Sequence, residues 1–215
     1  MTTLGTIGAG NIGSHVARAA LDAGYTVILS NSRGPGSLTD LIADLGSGAS
    51  AATVVDAASA GEMVLVAVPL KDIGSIPAEP LAGKVVIDAN NYYPQRDGRI
   101  EALDTNASTT AELLQAHLPA SHVVKAFNNI MANEIPTDGK PAGSEGRRAL
   151  PIAGANAEAK KAVTQFLDSL GFDAVDMGPL SESWRVERDT PAYGARVTAD
   201  ELRALTADVD RVQQV

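Results

Sequence analysis

The sequence predicts a doubly wound α/β domain: a mostly parallel sheet with helices on both faces and a small C-terminal helical extension. Three observations carry this. Short, nearly continuous apolar runs alternate with helical patterns along most of the chain, as strands buried on both faces do. A glycine-rich turn, G-A-G-N-I-G, joins the first such run to the first helix. The 215 residues are rich in Ala and Gly and poor in aromatics, which suits helices packed closely onto a sheet and is long enough for one domain with an appendage.

Residues 3–7, TLGTI, are an apolar run ending in glycines and predict the first strand. A helix follows from Asn11 to about Ala23, with Ile12, Val16, Ala19 and Ala20 on one face and Gly24 as its stop. YTVILS (25–30) is strand two, and GSLTDLIADLG (36–46) a helix with Ser37 as its N-cap. SAATVV (50–55) is strand three, followed by a short helix from Asp56. EMVLVAVP (62–69) and GKVVIDAN (83–90) are strands four and five. TTAELLQAHL (109–118) is helical, SHVVKAFNN (121–129) is a strand and its turn, and 136–148 is a mobile loop. RALPIAG (148–154), a helix over 156–171 closed by Gly171, FDAVDMG (172–178) and a polar helix over 198–212 complete the chain. Residues 1–180 are expected to form the nucleotide-binding domain and 181–215 an extension that is not an independent domain.

Composition narrows the function. A formal charge of −9 argues against nucleic acid or anionic membranes as partners, so an anion site must be a local basic spot. Without cysteine, disulfides, thiolate nucleophiles and Cys-ligated metals are excluded. No basic leader with a long apolar stretch opens the sequence and no run spans a bilayer; the expectation is a soluble, cytoplasmic protein.

The glycine turn predicts a dinucleotide. Gly8 permits the tight turn, Gly10 lets backbone amides reach a pyrophosphate, and Gly13 lets the helix pack on the strand; Asn11 and Ile12 open the helix whose N-terminus faces the phosphates. An NAD protein would close strand two with an acid for the ribose 2′-hydroxyl. Here Ser30, Asn31, Ser32 and Arg33 stand there instead. Nothing repels a 2′-phosphate, Asn31 and Ser32 can donate to it, and Arg33 adds a charged fork; the expected cofactor is NADP. At the carboxyl ends of strands four to six, Val68 and Pro69 line the nicotinamide wall, and Asn90 and Asn128 can fix the carboxamide. Ala126 completes the cofactor-binding set.

No acid or base stands out. His15 and His117 read as surface residues, His122 lies at the wrong end of its strand, and Lys125 and Asp88 are ambiguous. No Ser-His-Asp set or His/carboxylate metal cluster is visible, so no catalytic side chain is assigned. Hydride transfer between stacked rings needs placement and water exclusion above all. With little sequence beyond the last strand, the acceptor is expected on an open cleft completed by a second subunit.

Together these residues resemble the coenzyme F420-dependent NADP oxidoreductase family: Gly8–Gly13, Asn31-Ser32-Arg33, Val68-Pro69, Lys125-Ala126-Phe127-Asn128 and DMGPLSESWRVE (176–187). The resemblance covers roughly residues 3–187. It implies a Rossmann-like sheet, often a homodimer, and hydride transfer between nicotinamide C4 and a deazaflavin without an essential side-chain proton donor. The sequence is also similar to the cytosolic reductase module of membrane metalloreductases. It departs at its end: where relatives continue into an apolar helix, residues 188–212 are polar and charged, and NNYYPQRDGRIEALD (90–104) is long and polar. Tyr92, Tyr93 and Trp184 can stack on a flat acceptor or serve as packing residues. F420 is therefore the first candidate co-substrate. Flavin, imine, quinone or ferric-chelate reduction, and a non-catalytic NADP-binding redox sensor, are the alternatives.

Overall fold

The computed structural model describes residues 2–212. Its first half is a run of strand–helix units: β1 (Thr3–Ile7), α1 (Asn11–Asp22), β2 (Thr26–Ser30), α2 (Thr39–Leu45), β3 (Ala49–Ala51), α3 (Val54–Ala60), β4 (Met63–Val66) and β5 (Val85–Asp88). Two single helical turns follow, α4 (Pro94–Asp97) and α5 (Glu101–Asp104). Then come α6 (Thr110–His117), β6 (His122–Lys125), β7 (Ala149–Gly154), α7 (Ala157–Ser169), β8 (Asp173–Asp176) and α8 (Ala199–Ala207). The strands make one eight-stranded sheet in the order β3-β2-β1-β4-β5-β6-β7-β8. β1 to β6 are parallel; β7 runs antiparallel to β6, and β8 parallel to β7.

The near-continuous apolar strands are explained by where successive side chains go. Leu65, Ile87 and Val124 join Val16, Ala20 and Phe166 in a core on one face. Val64, Val66, Val86 and Val123 join Ala58, Leu114 and Leu118 in a core on the other. Strand side chains alternate faces, so a strand covered on both sides must be apolar at every position. A smaller cluster, Ala149, Val175, Val186, Ala192 and Leu202, holds the C-terminal extension against β7 and β8. Residues 213–215 of that extension lie outside the described residues.

Several boundaries differ from those the sequence predicts. Ser37 is not an N-cap: it lies in a 3₁₀ turn, Pro35–Leu38, and its hydroxyl donates to Gly34 O and Asn31 Oδ1. Strand three is only Ala49–Ala51, because Thr53 caps α3 by accepting from Asp56 N; the β-branched Val54 and Val55 sit in the helix. Strands four and five end at Val66 and Asp88, since the chain leaves the ladder to build the site. α8 stops at Ala207. The loop expected to be mobile is pinned by Arg147, which bridges Asp168 and Asp173 at 2.8 and 2.6 Å, and by Arg148, which meets Glu134 and Asp138 at 2.7 and 2.8 Å.

Candidate functional site

β2 and β3 lie on one side of β1, and β4 to β6 on the other. That reversal of winding leaves a crevice at the carboxyl ends of β1 and β4, where open α/β sheets take their ligands. The crevice has two hollows. One, about 410 Å³, lies among Gly8, Gly10, Asn31, Ser32 and Arg33. The other, about 750 Å³, is lined by Asn11, Ile12, Asn90, Tyr93, Asn128 and Tyr193, among others. Gly10, Ala67, Val68 and Pro69 border both, so the two form one continuous groove.

The glycine turn is tight at Gly8 and Gly13. Gly8 has φ +104°, and a Cβ there would overlap the Ala67 carbonyl. Gly13 is buried in α1, and a Cβ on it would overlap the Gly8 carbonyl oxygen; only hydrogen lets the helix come this close. Gly10 is different: nothing lies within 4 Å of the position its Cβ would take. It caps α1 without any side-chain hydrogen bond, and the first turn holds no acid. The helix amides therefore point into the groove without an internal competitor, a fit for a pyrophosphate.

At the end of β2, Asn31 shapes the turn: its Oδ1 accepts from Arg33 N at 2.9 Å and its Nδ2 donates to Ser37 Oγ at 2.9 Å. Much of its hydrogen-bonding capacity is thus spent internally, which leaves Ser32 and Arg33 as the exposed donors. Arg33 has no carboxylate partner among the described residues.

In the larger hollow, Asn90 Oδ1 accepts from Val68 N at 3.1 Å and joins the ends of β4 and β5. The Asn90 peptide is gripped from both sides. Asp88 Oδ1 accepts from its N–H at 2.9 Å, and Lys125 Nζ donates to its carbonyl. Lys125 is almost wholly buried, pairs with Asp88 at 3.2 Å and donates to Thr110 Oγ1 at 2.8 Å. Its ammonium is therefore a structural clamp. Asn128 Nδ2 donates to Val186 O at 2.8 Å. The residue before it, Phe127, sits at φ +62°, a left-handed conformation that costs a non-glycine residue about 1–3 kcal/mol. Its buried ring packs edge-on against Phe166, with centroids 6.0 Å apart, which holds the turn that sets Asn128. Two atoms of this wall, Asn90 Nδ2 and Asn128 Oδ1, are buried and find no partner among the described residues. The side-chain amide of Asn129 is also unpartnered among the described residues but does not border the hollow.

The other sequence candidates divide. Ala126 does not border the groove: its methyl is in the core and its N–H donates to Asp88 O at 3.0 Å. Tyr92 is 1% exposed, and its hydroxyl joins Asp104 and Ile100 N, so it is a packing residue. Trp184 lies beneath Arg185 and Arg211, 4.7 and 6.0 Å from its ring centroid, and borders neither hollow. His117 is half-buried and meets Ile76 O at 2.8 Å. Tyr93 does face the larger hollow. The residue missed is Tyr193, whose hydroxyl is 2.7 Å from that of Tyr93. No motif marks it; it reaches the site because the polar tail folds back over the sheet.

Residues 3–92 match the family described as NADP oxidoreductase coenzyme F420-dependent. A hypothetical protein of Sinorhizobium meliloti is 32% identical in a solved structure, with a TM-score of 0.78 over 91% of this chain and 94% of its own. The chain belongs to the coenzyme F420-dependent NADP oxidoreductase family. A second solved structure, from Arthrobacter sp. and provisionally named an F420-dependent NADP reductase, is 26% identical with a TM-score of 0.73 over 85% of this chain and 87% of its own. Metalloreductase STEAP3 of Rattus norvegicus is 31% identical over 186 residues, 86% of this chain; the chain spans 35% of that protein's length. Among the described residues no helix is long and apolar enough to cross a membrane. The fold is thus matched along nearly the whole chain, while the family match itself spans β1 to β5.

Proposed function

We propose that this chain transfers a hydride between NADP(H) and a flat redox acceptor, with the deazaflavin coenzyme F420 as the first candidate. One observation carries the reading: Asn90 and Asn128 hold one buried, unpartnered donor and one buried, unpartnered acceptor on the wall of the larger hollow. A carboxamide needs that complement, and unpaired buried polar atoms are costly unless a ligand satisfies them. NADPH, when bound, supplies the hydride. The chain's own residues do the rest. Gly10 and the α1 amides receive the pyrophosphate, Ser32 and Arg33 hold the 2′-phosphate, and Asn90 and Asn128 orient the nicotinamide against Val68 and Pro69, which exclude water from its face. The reading includes a homodimer and a cytoplasmic location, tested by light scattering and cell fractionation.

A second reading, reduction of flavin or a ferric chelate, is favoured by the likeness to the rat metalloreductase. Loss of NADPH absorbance with F420, FMN and ferric citrate separates the two. Turnover of F420 is expected; turnover of FMN or ferric citrate without F420 selects the second. Tight NADPH binding with no turnover on any acceptor points to a sensor instead.

A further inference from the structure

The hollow that Asn90 and Asn128 border also holds a pair of phenols. Tyr93 and Tyr193 both line it, their hydroxyls are 2.7 Å apart, and they come from positions 100 residues apart. Each is fixed. Tyr93 N–H donates to the buried carboxylate of Asp97 at 3.0 Å. Beside Tyr193, Gly194 N–H donates to Asn129 O at 3.0 Å, tying the tail to the turn that carries Asn128. Two guanidiniums lie over the Tyr93 ring, Arg96 at 4.8 Å and Arg188 at 5.5 Å from its centroid. Arg96 is itself held by Asp97 and by the Asn91 carbonyl, and Arg188 pairs with Asp189 at 3.2 Å. Burial, reinforced by its hydrogen bond to Tyr93, pushes the Tyr193 phenol well up, so it stays protonated at any physiological pH. Simple packing would need the two rings, but neither the paired hydroxyls nor the cations above one of them.

We propose that Tyr93 donates the proton to the hydride acceptor and that Tyr193 passes in its replacement from solvent. This rests on the hydride-transfer reading above and departs from the resemblance, which implies no essential side-chain proton donor. NADPH is the reductant; as the acceptor's electrophilic ring atom gains the hydride, the displaced π pair moves to the conjugated heteroatom. The Tyr93 O–H bond breaks as the heteroatom–H bond forms. The negative charge left on Tyr93 faces the Tyr193 hydroxyl and the two guanidiniums, a preorganised field for that anion. Tyr193 then returns its proton to Tyr93 and takes one from water. The acceptor gains one hydride and one proton, NADPH becomes NADP⁺, and both phenols end as they began. The geometry thus favours organic acceptors with a conjugated C=N or C=O, such as a deazaflavin, a flavin or a cyclic imine. A ferric chelate takes electrons without a ring proton and would leave the pair idle.

Tyr93→Phe and Tyr193→Phe keep the rings and remove the hydroxyls. With F420, FMN or 1-pyrroline as acceptor, Tyr93→Phe should lower kcat about a hundredfold or more, as loss of a general acid does, and leave NADPH affinity unchanged. Tyr193→Phe should lower kcat less. Independently of turnover, protein labelled with ¹³Cζ-tyrosine and saturated with NADP⁺ should show two tyrosine resonances, assigned by their loss in the two variants, that shift when the acceptor is added. A Tyr93→Phe variant within about threefold of wild type, or resonances that stay fixed with an acceptor the wild type reduces, overturns the proton-donor role alone. A wild type that oxidises no NADPH with any of the three overturns the hydride-transfer reading and this proposal with it.

Discussion

Arg33 stands exposed just past the end of β2, with its backbone N–H held by Asn31 and its guanidinium left to solvent. A phosphate there would gain charge-assisted bonds worth about 1.5–3 kcal/mol. We therefore expect Arg33→Ala to raise the NADPH dissociation constant at least about tenfold and to leave NADH, which lacks the 2′-phosphate, nearly unchanged. Equal losses for both nucleotides, measured by titration calorimetry, would remove Arg33 from the 2′-phosphate site. Lys125 carries the opposite lesson. A cation at the carboxyl end of a strand near the crevice invites a catalytic role, yet its ammonium is used up on Asp88, Thr110 Oγ1 and the Asn90 carbonyl. On the proposed reading, it acts on the ligand through the position of Asn90.

α1 does two jobs through two glycines, and they can be separated. Gly10 has an ordinary φ of −80° and open space where a Cβ would stand. Gly10→Ala should fold with an unchanged melting temperature and still lose NADPH affinity, since the methyl takes the room a pyrophosphate needs. Gly13→Ala should lose both, because its methyl would drive α1 away from the Gly8 carbonyl and overpacking of this kind costs about 1–3 kcal/mol. Thermal melts with and without NADPH check the pair; equal melting temperatures for the two variants would contradict this division. α6 shows a helix start legible in the sequence. Thr109 and Glu112 form a reciprocal capping box, the spacing that marks an N-terminus. α3 shows the reverse: Thr53 caps a helix whose first residues are valines, so local propensity pointed to a strand and the cap prevailed.

Across the molecule, the segment after β6, the start of β7 and the C-terminal tail are tied by one ionic cluster. Arg148, 3% exposed, meets Glu134 and Asp138, and Arg196 reaches Asp138 from the tail. The Arg148 hydrogen bond holds the Glu134 carboxyl below its ordinary value of 4.5. Below that value the unfolded chain binds a proton that the folded chain resists, so stability falls with falling pH. The contribution of Glu134 is complete above its unfolded value of 4.5 and is lost as pH drops through its lower folded value. Urea unfolding at about pH 7 and about pH 3.5 should show a smaller acid-dependent loss in Glu134→Gln than in the wild type. Identical losses would mean that this ion pair does not contribute. The same cluster holds the tail segment in which Tyr193 lies, so the Tyr193 side of the groove depends on contacts far from β1.

What the sequence determined by itself is local or periodic. Apolar runs on both faces specified a doubly covered sheet, because each strand must satisfy two cores. Gly8 and Gly13 specified the turn, because each meets a steric demand within six consecutive residues. The ending Ser32-Arg33 specified a basic spot on an acidic chain. Tertiary structure alone decided the rest. It turned Lys125 inward, buried Tyr92, took Ala126 into the core, and kept Trp184 out of the groove. It also brought Tyr193 to within 2.7 Å of Tyr93 across 100 residues of chain. The physical reason is separation: such contacts depend on how the tail packs over β7 and β8, and no short-range pattern encodes that meeting.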